Sequence, residues 1–212
     1  MKILLIGASG AIGSRILNEA VSRGHHVTAV SRHTENVPAG EHVTVVQADA
    51  SDEKIMPELL IGQDALVSSI SPRGGNTPES YLETIKAIIK AAKRSNVPYS
   101  LVVGGLSSLI APDGKRILDH MKDVVPPGLV QEITIVAEAR KLIEQSDINW
   151  TFFCPGGMIE PGERTGIFKI GGEQATFNFG DNTKISMEDF AVAAVDELEN
   201  PNYSRELFHA YN

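Results

Sequence analysis

The sequence predicts a doubly wound α/β fold: a parallel sheet with helices on both faces and a small C-terminal elaboration, all in one domain over residues 1–212. Three observations predict it. Short apolar runs alternate with longer segments of helical period, the pattern of strands joined by crossover helices. The runs are mostly apolar throughout, as strands buried on both faces are. A glycine-rich turn separates the first run from the first helical segment.

In chain order, strands are expected at 3–6, 27–30, 43–47, 65–70, 101–104 and 150–154, and helices at 11–23, 78–94 and 132–145. In the second helix Tyr81, Ile85, Ile88, Ile89 and Ala92 recur at helical spacing and mark its core face. Two regions break the rhythm. Residues 105–129 carry Pro112-Asp113-Gly114 and Pro126-Pro127-Gly128, and read as a long loop of the kind that forms a lid or binding loop. Residues 155–180 are glycine-rich and lead into a possible hairpin at 165–179. A last helix at 187–198 opens from an N-cap at Ser186, and 206–210 reads as a closing strand. No internal repeat or interdomain linker is visible.

The chain has 212 residues, 42% hydrophobic and 22% charged, an ordinary globular mix. A net charge of −8 argues against nucleic acid as a partner, since phosphate backbones need a basic surface. No stretch approaches a membrane span, and the opening apolar run stops at Gly7, too soon for a signal peptide. The single cysteine, Cys154, cannot form an intrachain disulfide, so a cytoplasmic protein, monomer or homodimer, is expected. Cys154 reads as a small buried hydrophobe. His25-His26 reads as capping a turn, and His120, near Asp119 and Asp123, has no second ligand at helical or hairpin spacing, so no metal is expected.

The turn Gly7-Ala8-Ser9-Gly10-Ala11-Ile12-Gly13 follows the first strand and opens the first helix. That context marks an NAD(P)-binding Rossmann turn. The first glycine permits the bend, the second lets backbone approach a pyrophosphate, and the third lets helix and strand pack closely. Helix N–H groups then hold the phosphates. The end of the second strand selects the cofactor. NAD-binding proteins usually place Asp or Glu there; this chain has Ser31-Arg32-His33, with no acid before Glu35. Arg32 offers a planar charged fork for a 2′-phosphate and Ser31 a hydroxyl, so NADPH is expected over NADH. Arg15 reads as a surface residue.

From Gly7 to Gly13 and through Gly24-His25-His26-Val27-Thr28-Ala29-Val30-Ser31-Arg32, the chain resembles the atypical short-chain dehydrogenases. Within them it is most similar to the NAD(P)H-flavin reductases related to biliverdin-IXβ reductase, near the NmrA-like group. Val45-Val46-Gln47-Ala48-Asp49-Ala50, Leu101-Val102-Val103-Gly104-Gly105, Ile185-Ser186-Met187-Glu188-Asp189-Phe190-Ala191 and Asp196-Glu197-Leu198-Glu199-Asn200-Pro201 resemble later signatures of that family. The resemblance implies further contacts. Asp49 and Ala50 would flank the adenine, and Ser69, Ile70 and Ser71 the ribose and pyrophosphate. Gly104 would end the fifth strand at the cofactor, and Ser107 or Ser108 would stand near the nicotinamide as candidate catalytic groups. Pro155, Gly156 and Met158 would border the nicotinamide or the substrate. Lys141 would reach the nicotinamide ribose and is a candidate catalytic residue as well.

One departure from the superfamily bears on chemistry. Its alcohol dehydrogenases carry Tyr-x-x-x-Lys, in which the lysine lowers the tyrosine pKa. With Lys141 as the lysine, the tyrosine position is Ala137, and no other tyrosine has a lysine four residues on. Ordinary alcohol–ketone chemistry is therefore not expected. Hydride transfer to a flavin-like or quinone-like acceptor needs mainly orientation and exclusion of water. The leading expectation is an NADPH-dependent reductase of such small molecules, with the nicotinamide facing a pocket built from 105–129 and 155–166. The alternatives are an NADP(H)-binding sensor of NmrA-like type that catalyses nothing, and, less favoured by the missing tyrosine, an isomerase or epimerase.

Overall fold

A computed structural model describes residues 1–73, 76–175, 177 and 183–212. Its centre is an eight-stranded sheet. The strands are β1 (Lys2–Ile6), β2 (His26–Ser31), β3 (Val43–Gln47), β4 (Ala65–Ser68), β5 (Ser100–Val103) and β6 (Trp150–Pro155). After a short β7 (Met158–Glu160) come β8 (Lys169–Gly171), β9 (Lys184–Ser186) and β10 (Glu206–Tyr211). The order β3-β2-β1-β4-β5-β6-β10-β8 is parallel from β3 to β10, and β8 runs antiparallel along the outer edge. β7 and β9 form a separate parallel pair. Strand order reverses between β1 and β4, and a crevice opens at such a switch point beyond the carboxyl ends of the strands.

Two cores follow from side-chain alternation along the strands. On one face, Ile3, Leu5 and Phe153 pack with α1 (Ala11–Ser22) and α6 (Met187–Glu199), through Ile16, Leu17, Phe190 and Val195. On the other, Leu4, Val102 and Phe152 pack with α2 (Ile55–Leu60) and α3 (Pro78–Ser95). The same face takes α4 (Ile117–Met121) and α5 (Pro127–Glu144). Phe152 and Phe153 thus face opposite cores, as period-two geometry requires. Phe153 stacks between Phe190 and Phe208, with centroids 3.9 and 4.2 Å away.

Several expectations need correction. The long loop at 105–129 holds a 3₁₀ turn (Leu106–Ser108), α4 and the start of α5. The helix expected from 132 begins at Pro127, because proline at the first helical position lacks only an N–H that has no partner there anyway. The helix α2 was not foreseen. β4 ends at Ser68, two residues before its expected end. β3, read as one of the buried runs, lies at the sheet edge and is half-buried. The hairpin at 165–179 does not form among the described residues: its one strand, β8, pairs with β10. Residues 176, 178 and 179 of that expectation lie outside the described residues. Ser186 does cap α6, its Oγ accepting the Asp189 N–H at 3.0 Å.

Candidate functional site

A cleft of about 830 Å³ opens at the carboxyl ends of β1 to β4. Its floor is the glycine turn. Gly7 has φ +84°, a conformation that favours glycine, and a Cβ there would stand 2.8 Å from the Ser69 carbonyl oxygen. Its N–H donates to Val30 O at 2.9 Å, and Gly10 N–H donates to Gly7 O at 3.0 Å. Gly10 caps α1 without a side chain, and the first intrahelical bond, Ser14 N–H to Gly10 O, is 2.9 Å. The amides of Ala11, Ile12 and Gly13 open the helix, where N–H groups have no intrahelical acceptor. A Cβ on Gly13 would lie 2.1 Å from Gly7 O, so the third glycine is what lets helix and turn close together. A Cβ on Gly10 meets only Gly7 O, at 3.2 Å.

The wall from β2 and β3 carries polar groups. Ser9 and Ser31 share a hydroxyl–hydroxyl hydrogen bond of 2.6 Å that ties the glycine turn to the end of β2. Arg32 and His33 follow on the cleft wall, with the Arg32 carbonyl held by Gln47 Nε2 at 3.1 Å. Asp49 accepts the Ser51 N–H at 2.8 Å and the Ser51 hydroxyl at 2.7 Å. Those bonds, with the charge of Arg32, hold its carboxyl below the usual range. Ala50 is buried beside it.

The opposite wall comes from β4 and α3. Ser69, Ile70 and Ser71 line the cleft, followed by Asn76, Thr77, Ser80 and Thr84. Thr77 and Ser80 cap α3 reciprocally, at 3.2 and 2.9 Å. Tyr81 lies at the base of this wall, its phenol buried and its pKa pushed upward. These α3 residues were not foreseen, although Thr77-Pro78 with Ser80 three positions after the cap is a legible helix start.

Gly7, Ser9, Gly10, Ser31, Arg32, Asp49, Ala50, Ser69, Ile70 and Ser71 therefore meet in one cleft, with Ala11, Ile12 and Gly13 continuing its floor into α1. The remaining expected residues stand outside the cleft lining. Gly104 leaves room for the Phe152 ring, which a Cβ would meet at 2.1 Å. Ser107 and Ser108 are buried in the 3₁₀ turn after β5, and the Ser107 hydroxyl donates weakly to Ile133 O at 3.4 Å. The Ser108 carbonyl accepts from Arg140 Nη1 at 2.6 Å and from Arg116 Nη1 at 3.2 Å. Lys141 is exposed on α5, whereas Ala137, four residues earlier, is buried. Pro155 and Gly156 are buried, and Met158 is 70% exposed. Cys154 lies fully buried beneath them, and burial pushes its thiol pKa up to about 12, so it is no nucleophile.

Arg15 is not a bystander. Its Nε donates to Glu188 at 2.6 Å and its Nη1 to Ala11 O at 2.7 Å, while Glu188 accepts the Gly162 N–H at 2.8 Å. It thereby joins the start of α1 to the segment after β7.

Residues 7–201 match the family model described as NAD(P)H-binding. The uncharacterized protein YwnB of Bacillus subtilis (strain 168) is 34% identical over 215 residues, covering 98% of this chain and 97% of its own. A candidate epimerase from Bacteroides thetaiotaomicron superposes with a TM-score of 0.89 at 36% identity, over 99% of this chain and 96% of that one. A candidate NADH-flavin reductase from Streptococcus pneumoniae TIGR4 superposes at 0.85 with 30% identity, over 100% and 99% of the two chains.

Proposed function

The chain belongs to the NAD(P)H-binding family, among the atypical short-chain dehydrogenases, and on that footing we propose that it is an NADPH-dependent oxidoreductase reducing flavins or similar flat conjugated acceptors. The cleft fits a dinucleotide by its own construction: Gly10, at the N-terminus of α1, is exposed to the cleft without a side chain between backbone and ligand. Gly7, Gly10 and the first amides of α1 would hold the pyrophosphate. Asp49, Ala50, Ser69, Ile70 and Ser71 would hold the adenosine half. Arg32 stands where an acid would serve NADH, and with Ser31 it supports NADPH as the preferred form. When bound, that cofactor supplies a hydride from its nicotinamide.

The acceptor class rests on one observation. Ala137 occupies the position of the superfamily's tyrosine and is buried on α5, so no phenol stands there to donate a proton. On the same helix Leu129, Val130, Ile133 and Val136 are apolar and half-buried, between the exposed Gln131, Glu138 and Lys141, and Val136 packs 3.6 Å from the Cβ position of Gly105. Such a face suits a flat ring, which accepts hydride at a nitrogen or oxygen that solvent can protonate. Lys141 and the Ser107–Ser108 turn would orient the nicotinamide side rather than move protons.

Stopped-flow mixing with NADPH and a panel of flavins and quinones tests this reading. Saturable turnover is expected, with no step in the pH–rate profile assignable to a tyrosine. Ala137→Tyr should change the rate by far less than the ~100-fold or more that a general acid contributes. Tight NADPH binding without turnover of any acceptor would instead support a sensor, and a large gain in alcohol oxidation by Ala137→Tyr would return the site to ordinary dehydrogenase chemistry.

A further inference from the structure

His33 follows Arg32 at the end of β2, and its backbone N–H donates to the Ser31 hydroxyl at 3.3 Å. This bond, of the kind by which serine tightens a turn two residues long, folds the chain back on Ser31. Arg32 and His33 thereby come to the same wall of the cleft, beside the Ser9–Ser31 hydroxyl pair. The His33 side chain is exposed there.

The charged and titratable groups around it can be taken element by element. On its own loop are Arg32 and Glu35. Asp49 stands on the segment after β3. Arg73, Tyr81 and Glu83 line the far wall, on the β4–α3 loop and α3. Hydrogen bonds from Ser51 to Asp49 and from Lys86 to Glu83 hold both carboxyls below the usual range, and burial holds the Tyr81 phenol above its own. Among the described residues lining the cleft, His33 is thus the side chain of the type that changes charge near neutrality.

We propose that His33 is a specificity-determining residue for the 2′-phosphate: protonated, it sets a second cation beside Arg32, so that preference for NADPH over NADH grows as the pH falls. The inference rests on the reading of this cleft as a dinucleotide site with the 2′-phosphate against Arg32. A phosphomonoester carries close to two negative charges above its second pKa of about 6, and charge-assisted bonds to it are stronger than neutral ones. NADH has the same adenosine and pyrophosphate without that phosphate, so the ratio of the two affinities isolates the contact.

The experiment is calorimetric or fluorescence titration of the whole protein with NADPH and with NADH at about pH 6.5 and about pH 8.5, in wild type, His33→Gln, His33→Lys and Arg32→Ala. In wild type the ratio of dissociation constants, NADH over NADPH, should rise about three- to tenfold toward the lower pH, a modest step because the contact is open to solvent. His33→Gln should flatten the dependence at a low ratio, and His33→Lys should flatten it at a high one. The same pH step in His33→Gln as in wild type overturns the proposal, as does a wild-type ratio that does not move with pH. Failure of the underlying reading looks different: Arg32→Ala would then leave the ratio unchanged at both pH values, or wild type would show no preference at any pH.

Discussion

Gly10 and Gly13 lie three residues apart in one turn, and a side chain would do opposite things at each. Gly10 has φ −75°, which any residue adopts, and its Cβ would touch only Gly7 O at 3.2 Å. Gly10→Val should still fold, at a cost of about 1–2 kcal/mol, because valine is a poor N-cap residue and its Cβ crowds the Gly7 carbonyl oxygen. It should lose binding of both NADPH and NADH, because the new carbons fill the space nearest the helix amides. Gly13→Ala places its methyl 2.1 Å from the Gly7 carbonyl and must push helix and turn apart. That overpacking should cost about 1–3 kcal/mol. Urea unfolding with calorimetric titration separates the two effects, and normal NADPH binding by folded Gly10→Val would remove the turn from the phosphate site. The bend assigned to Gly7 and the close packing assigned to Gly13 from spacing alone agree with this geometry. His33, Thr77 and Ser80 were not legible as cleft residues, because only the fold brings the ends of β2 and β4 to face each other.

Elements long enough to show a period could be read from the chain, and short ones could not. The strands β1, β2 and β5 and the helices α1 and α3 fall within a residue or two of their expected places. α2 has six residues with Pro57 inside, and α4 five, too few to display helical spacing. Pro126-Pro127-Gly128 reads as a break, yet it starts α5. The region after β6 hid its structure for another reason: its order comes from side chains distant in sequence. Asp189, fully buried at the start of α6, accepts Thr165 N–H and Gly166 N–H, each at 2.8 Å, and the Thr165 hydroxyl at 2.6 Å. Arg164 reaches Glu19 on α1 with two bonds of 2.7 Å. Asp189→Ala would leave the Thr165 and Gly166 N–H groups and the Thr165 hydroxyl without this acceptor, at a cost of about 1–3 kcal/mol. Hydrogen exchange should accelerate at Thr165 and Gly166 while the middle of α6 stays protected. Unchanged protection at those two amides would show that the carboxylate is not what anchors the segment.

At the scale of the whole molecule, the last strand in the chain enters the sheet between β6 and the edge strand β8, and it brings a histidine into the interior. His209 on β10 is fully buried, with room made by two glycines: a Cβ on Gly171 would lie 2.3 Å from its ring, and one on Gly156 2.7 Å. Its Nδ1 lies 2.7 Å from the Gly172 carbonyl oxygen, so that nitrogen carries the proton and donates. Nε2 is then a buried acceptor without a hydrogen-bond partner among the described residues. Burial lowers the His209 pKa, against a smaller opposite pull from the Gly172 carbonyl. Above the ordinary histidine value of about 6.5 the ring is neutral folded and unfolded, and it imposes no penalty. As pH falls below that value the unfolded chain takes up a proton that the folded one refuses, so stability drops until the depressed folded pKa is reached. Carboxyls such as Glu19, held below its ordinary 4.5 chiefly by the bond from Arg164, act in the same direction but lower on the scale. Their stabilisation is present above the unfolded value and is lost as pH falls through the folded one. Acid should therefore weaken the fold in two stages, the first beginning near pH 6.5 with a slope of up to about 1.4 kcal/mol per pH unit. Thermal melts from pH 8 to pH 4 check this. His209→Gln should melt lower than wild type at pH 8, having lost the ring's packing, yet hold a flat melting temperature down to the carboxyl stage. If the variant keeps the first stage, the proton is taken up elsewhere, and His209 is not the group that makes the fold acid-sensitive.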